Sequence, residues 1–188
     1  MSGIVVLYED SPLGVPRKGF GPHDLLLACV ADRLSVGGYW QLRNCIDGRP
    51  CKGDSKLLQQ CLVAPSIGVQ GGPVVAVFDQ DKAHRLLALP PTTSVSGLTR
   101  GVLATASYPP NLAVTFLAMN TETLVAAAAS SLGLATPAKS PKDRDDVLLK
   151  CANTQQVSVR RSVEKQMPSF CDLVEGVLRL WSQASSCR

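Results

Sequence analysis

Two carboxylates separated by one residue, Asp79 and Asp81, close the run VVAVFDQDK from Val74 to Lys82. The residues before Asp79 are apolar without alternation, the pattern of a strand buried on both faces in the middle of a parallel sheet. Carboxylates at the end of such a strand repel each other and resist desolvation unless a cation or a positive side chain lies between them. Mg2+, a hard ion taking oxygen ligands, answers that need, and Mn2+ is the alternative. Capping of the following helix, KAHRLLAL, explains one Asp but not the second.

Other acidic residues follow the other apolar runs. Glu9 and Asp10 end GIVVLY, and Glu122 follows LAVTFLA after Asn120 and Thr121. In a parallel sheet these carboxyl ends share one edge, and neighbouring strands lie about 4.8 Å apart. Convergent carboxylates there make a metal site or an acid and base pair. Glu122 also has the placement of a helix cap. Lys52 and Lys56 flank Gly53 at an expected helix start, where backbone N–H groups and ammonium groups together catch a phosphate. The competing explanation is an exposed loop with solvated lysines.

The elements that position these residues alternate between strand and helix. Strands are expected at 3–8, 74–78 and 112–118, with a more polar one at 39–46, YWQLRNCI. Pro22 opens the helix HDLLLACVADRL, and further helices are expected at 55–62, 82–89, 97–107 and 123–132. From Ser140 onward the chain reads as helical throughout. This pattern predicts an α/β fold, a parallel sheet flanked by helices over 1–135 with a C-terminal helical tail at 136–188 packed on it.

Composition narrows the class. The chain has 188 residues, 45% of them hydrophobic and 18% charged, which describes a globular protein rather than a disordered one. The net charge of +4 permits a polyanionic partner without requiring one. Arg160, Arg161 and Lys165 cluster near one another in the tail, either as a nucleic-acid contact or as a solvated helix face. No apolar run reaches the roughly eighteen residues of a membrane span, and the N-terminus lacks signal-peptide features, so a soluble cytoplasmic protein is expected. Seven cysteines without a CxxC pair read as reduced core residues, and neither His23 nor His84 has a cysteine at zinc-ligand spacing.

The order of these pieces resembles the Toprim domain of topoisomerases, bacterial primases and nucleases of the overcoming-lysogenization-defect type. In that family a strand ending in Glu precedes a strand ending in Asp-x-Asp. The chain looks like the small stand-alone Toprim-like proteins, through VVLYED at 5–10, CKGDSK at 51–56, VVAVFDQD at 74–81, NTET at 120–123, SPKDR at 140–144 and MPSF at 167–170. One departure is that Glu9 is followed by Asp10 rather than by the usual glycine, leaving open which of the two faces the site.

The resemblance implies a Rossmann-like Toprim fold and a Mg2+- or Mn2+-dependent nuclease acting on DNA or RNA. Glu9, Asp79 and Asp81 would be its catalytic and metal-binding residues, Glu122 a further metal ligand, and Lys52 and Lys56 the phosphate contacts. It also implies an ATPase partner and a role in defence against phage, with homo-oligomerisation left open. A catalytically silent sensor or scaffold of the same fold is one alternative. A haloacid-dehalogenase-like phosphatase is another, with Asp79 and Asp81 as nucleophile and acid and KDRDD at 142–146 supplying later residues. A receiver domain fits less well, since no lysine follows the last strand.

Overall fold

The apolar runs form strands β1 (Ile4–Tyr8), β3 (Val74–Asp79) and β4 (Leu112–Leu117), joined by the more polar β2 (Ile46–Pro50). The computed structural model describes residues 3–9, 21–68, 71–118, 121–135 and 140–186. Every pairing is parallel, and the strand order is β2-β1-β3-β4. Parallel neighbours need crossover connections, and the helices that supply them cover both faces. Hence every residue of β1 and β3, the two central strands, is buried.

Side chains alternate across the sheet with a period of two. Ile4, Val6, Tyr8, Val75 and Val77 enter a core shared with α1 (Gly21–Leu34), α6 (Thr121–Ser131), α7 (Pro141–Asn153), α8 (Val157–Gln166) and α9 (Pro168–Ser186). Val5, Leu7, Val74, Ala76 and Phe78 face the other layer, built from α2 (Asp54–Leu62), α3 (Ala64–Ile67), α4 (Gln80–Leu86) and α5 (Val95–Thr105). The molecule is therefore an α/β fold with a Rossmann-like parallel sheet, consistent with a Toprim-like architecture.

The tail helices are part of the first core. Leu148, Cys151, Val163, Met167, Phe170 and Val174 pack in the same cluster as Leu25 and Cys29 of α1. Arg160 of α8 is buried and grips Asp32 of α1 through two hydrogen bonds of 2.6 and 2.7 Å. This corrects the nucleic-acid reading of the tail cluster: Arg160 faces the core, while Arg161 and Lys165 alone remain exposed. Arg33 joins the same packing by pairing with Glu164 and, at 2.7 Å, with Glu175.

The strand expected over 39–46 starts only at Ile46. Tyr39–Leu42 forms a 3-10 turn instead, closed by Arg43 N–H on Trp40 O at 3.3 Å and Cys45 N–H on Leu42 O at 2.9 Å. The competing force is tertiary. Asp24 of α1 is fully buried and holds Arg43 at 2.7 Å, and the guanidinium lies 5.5 Å from the Tyr39 ring centre. Strand pairing can begin only past this anchor, with Ile4 opposite Ile46.

Cys29, Cys61 and Cys151 are buried thiols. Burial pushes the Cys61 thiol up to about 12 and the Cys151 thiol up to about 11, so both stay protonated at neutral pH. Cys187 lies outside the described residues.

Candidate functional site

β1 and β3 are adjacent and in register, with Tyr8 opposite Val77. Their carboxyl ends therefore deliver Glu9 and Asp79 side by side, where open α/β sheets place ligands. The Asp79 backbone N–H donates to Glu9 Oε2 at 3.3 Å. Strand β3 passes straight into α4, so Asp79 is both the last strand residue and the residue preceding the helix. Three positions on, one turn away on the same helix face, stands Lys82. Its ammonium donates to Glu9 Oε1 at 2.6 Å and to Asp79 Oδ2 at 3.3 Å.

The two carboxylate side chains are 9% and 7% exposed, whereas that of Lys82 is 40% exposed. Burial acts to lower the Lys82 pKa, but its hydrogen bond to Glu9 and the charges of Glu9 and Asp79 outweigh this and raise it. The ammonium is thus held charged between two buried anions. Of the two answers to paired carboxylates at a strand end, the structure displays the positive side chain.

A divalent cation suits the same donors. Glu9 and Asp79 offer hard carboxylate oxygens that already converge on one cationic point, the donor type a divalent ion takes, and Lys82 is partly exposed. The remaining expected ligands are placed elsewhere. Asp81 is exposed in the first turn of α4. On a strand it would share a face with Asp79; on a helix, positions i and i+2 point apart. Glu122 opens α6 and forms an ion pair with Arg144 of α7, which directs it to the tail helix instead of to Glu9. Among the described residues, no group of three or more His, Cys, Asp or Glu side chains is arranged to hold a metal ion. Asp10 lies outside the described residues, so the choice between it and Glu9 rests on the placement of Glu9 alone.

No family model matches the chain, and searches of curated proteins and of solved structures return no match.

The Lys-Gly loop is fastened beside Glu9. Cys51 N–H donates to Tyr8 O at 2.7 Å and Gly53 N–H to Glu9 O at 2.6 Å. Lys52 and Gly53 both have positive φ, 62° and 116°, a conformation strained for lysine and easy for glycine. Lys52 and Lys56 are both exposed. Asp54 begins α2 and its Oδ1 accepts the Ser55 N–H at 2.7 Å, so one donor of this helix start is already taken by an anion. Lys52, adjacent to the tether on Glu9, is the better placed of the two lysines.

His23 has the partners that its sequence context did not reveal. It is buried, with Nε2 3.1 Å from Ile46 O and Nδ1 3.1 Å from the Tyr8 hydroxyl. A carbonyl can only accept, so Nε2 carries the proton and Nδ1 accepts from Tyr8. Burial lowers its pKa, partly opposed by the bond to Ile46 O. Gly48 makes room for the ring: a Cβ there would lie 2.3 Å from His23 Cγ. The side chain thus links Tyr8 at the carboxyl end of β1 to Ile46 at the amino end of β2. His84 Nδ1 lies 2.9 Å from Pro90 O.

The KDRDD segment belongs to α7, where Asp145 Oδ1 accepts the Gly21 N–H at 2.5 Å. That role ties α1 to the tail and gives Asp145 a structural task away from Asp79.

Proposed function

We propose that the protein is a metal-dependent phosphodiesterase acting on nucleic acid. The observation that supports this reading best is the meeting of Glu9 and Asp79 on one cationic point at the carboxyl edge of the two central strands. Glu9 and Asp79 would hold a Mg2+ or Mn2+ ion. When bound, the ion supplies Lewis-acid stabilisation of the phosphate and the leaving oxygen. Lys82 would pair with a non-bridging phosphate oxygen, and Glu9 would take the proton of the attacking water and return it through solvent to the leaving oxygen. Lys52 attracts the nucleic-acid backbone from the neighbouring loop. The likeness to stand-alone Toprim-like proteins supports an effector role beside an ATPase, with DNA or RNA as substrate.

The test is cleavage of plasmid DNA, total RNA and transfer RNA with and without Mg2+ or Mn2+, comparing wild type with Asp79→Asn. Metal-dependent cleavage that disappears in the variant supports the proposal. Cleavage unchanged by the substitution rules out this site.

A second reading has its own support. A lysine bridging two buried carboxylates is a complete ion-pair lock, and a chain that keeps it closed would act as a silent scaffold. Metal binding separates the two, since the scaffold retains the lock at every metal concentration.

A further inference from the structure

Strand β4 forms one edge of the sheet. Asn111 O accepts from Val74 N–H, so in a parallel ladder Ala113, Thr115 and Leu117 direct their backbone groups to β3. Leu112, Val114, Phe116 and Ala118 therefore direct theirs outward. The N–H groups at the ends of this outer row are satisfied: Leu112 N–H meets Pro109 O at 3.2 Å, and Ala118 N–H meets Ser169 Oγ at 2.9 Å. Between them, the outward N–H and C=O groups of Val114 and Phe116 have no partner among the described residues. The edge LAVTFL carries no charge, proline or bulge, the devices that normally keep such a strand from pairing.

A cleft of about 370 Å³ runs along this edge, with Val95 of α5 on one side and α9 on the other. The α9 wall presents Asp172, Gly176 and Arg179. Asp172 and Arg179 are exposed, opposite in charge and two turns apart. Gly176 lies near their midpoint, and a Cβ there would meet nothing within 4 Å. Glycine weakens a helix interior, and here no neighbour among the described residues calls for it.

We propose that this face is a self-association surface on which β4 of a second copy pairs antiparallel with β4 of the first. A two-fold axis through Thr115 sets Val114 opposite the partner's Phe116 and Phe116 opposite the partner's Val114. Each of these residues then donates once and accepts once, pairing the open groups of Val114 and Phe116 on both strands. Thr115 faces its own copy as a non-hydrogen-bonded pair, where side chains approach most closely. The same axis runs α9 antiparallel to its copy. The helices cross at the bare Gly176, and each Asp172 meets the partner's Arg179. The charge pattern of α9 is thus complementary to itself only under reversal, which is the symmetry the strand edge also requires. The occupant is a second copy of this chain, and the proposal is independent of the reading of the Glu9 site.

The experiment is sedimentation velocity on the full chain at micromolar concentrations, with Arg179→Asp and the charge-swapped Asp172→Arg/Arg179→Asp. Both positions are exposed, so neither variant threatens the fold. Wild type is expected to dimerise, Arg179→Asp to associate about tenfold more weakly or worse, and the swapped pair to recover. Amide exchange on wild type needs no substitution and is expected to slow at Val114 and Phe116 as concentration rises. A monomeric wild type, full association in Arg179→Asp, failure of the swapped pair to recover, or concentration-independent exchange at those amides would each overturn the proposal.

Discussion

Lys82 Nζ lies 2.6 Å from Glu9 Oε1, so a lysine of the first turn of α4 closes onto a carboxylate at the end of β1, across the central strand pair. The contact reaches from residue 82 back to residue 9, and it exists because β1 and β3 are parallel neighbours. It also defines the competition at the site. Whatever metal binds Glu9 and Asp79 must displace an ammonium already held by both.

Removing that ammonium should expose the repulsion it offsets. Lys82→Met leaves two buried carboxylates facing each other and is expected to destabilise the fold by roughly 1–3 kcal/mol, less than a fully buried pair because Lys82 is partly exposed. Millimolar Mg2+ is expected to restore part of the loss, raising the melting temperature of the variant more than that of wild type. Thermal unfolding with and without the metal checks this.

The same lysine sets an alkaline limit. Its folded pKa is raised above the ordinary value of 10.5, so the unfolded chain loses its proton first as pH rises. The stability from the bridge is fully present below about 10.5 and is lost as pH climbs through the raised folded value. Denaturant midpoints followed from about pH 10.5 upward should fall more steeply for wild type than for Lys82→Met.

His23 sets the acid side. Its folded pKa is lowered from 6.5 by burial, so the folded chain resists the proton that the unfolded chain accepts. Stability from the neutral ring is present above 6.5 and is lost as pH falls below that value towards the lowered folded one. His23→Phe is expected to be less stable overall, since Tyr8 and Ile46 lose their partner, yet flatter across this acid window. Unfolding measured from pH 7 downward distinguishes the two slopes.

Gly48→Ala should confirm how closely that ring is packed. The new methyl would lie 2.3 Å from His23 Cγ, a clash that either β2 or the imidazole must relieve by moving. A loss of roughly 1–3 kcal/mol is expected in urea unfolding. A neutral substitution would mean that His23 is not held where its hydrogen bonds place it.

The α/β class and the apolar strands were legible because unbroken runs such as VVAVF leave few alternatives to a buried parallel strand. Their parallel packing also made the approach of Glu9 and Asp79 readable in advance. Three things were not. The polar β2 starts after Arg43, and the Asp24 anchor that fixes its start is a tertiary contact with no local signature. Asp81 leaves the Asp79 face because the helix begins immediately at Gln80, and a one-residue shift of that boundary reverses which side chains converge. Arg160 looked like part of a basic surface, although its Asp32 partner lies on a distant helix. Lys82 carried a usable signal all along, a lysine three positions after Asp79, but its bond to Glu9 required the sheet order.

Titration of the full chain with Mn2+, followed by the loss of the free-ion electron paramagnetic resonance signal, tests the metal site most directly. Wild type is expected to bind the ion, Lys82→Met to bind it more tightly because no ammonium has to leave, and Asp79→Asn to bind it weakly or not at all. Binding that is absent in both wild type and Lys82→Met, or that is unchanged in Asp79→Asn, would contradict the account and leave the Glu9, Asp79 and Lys82 cluster as a structural lock.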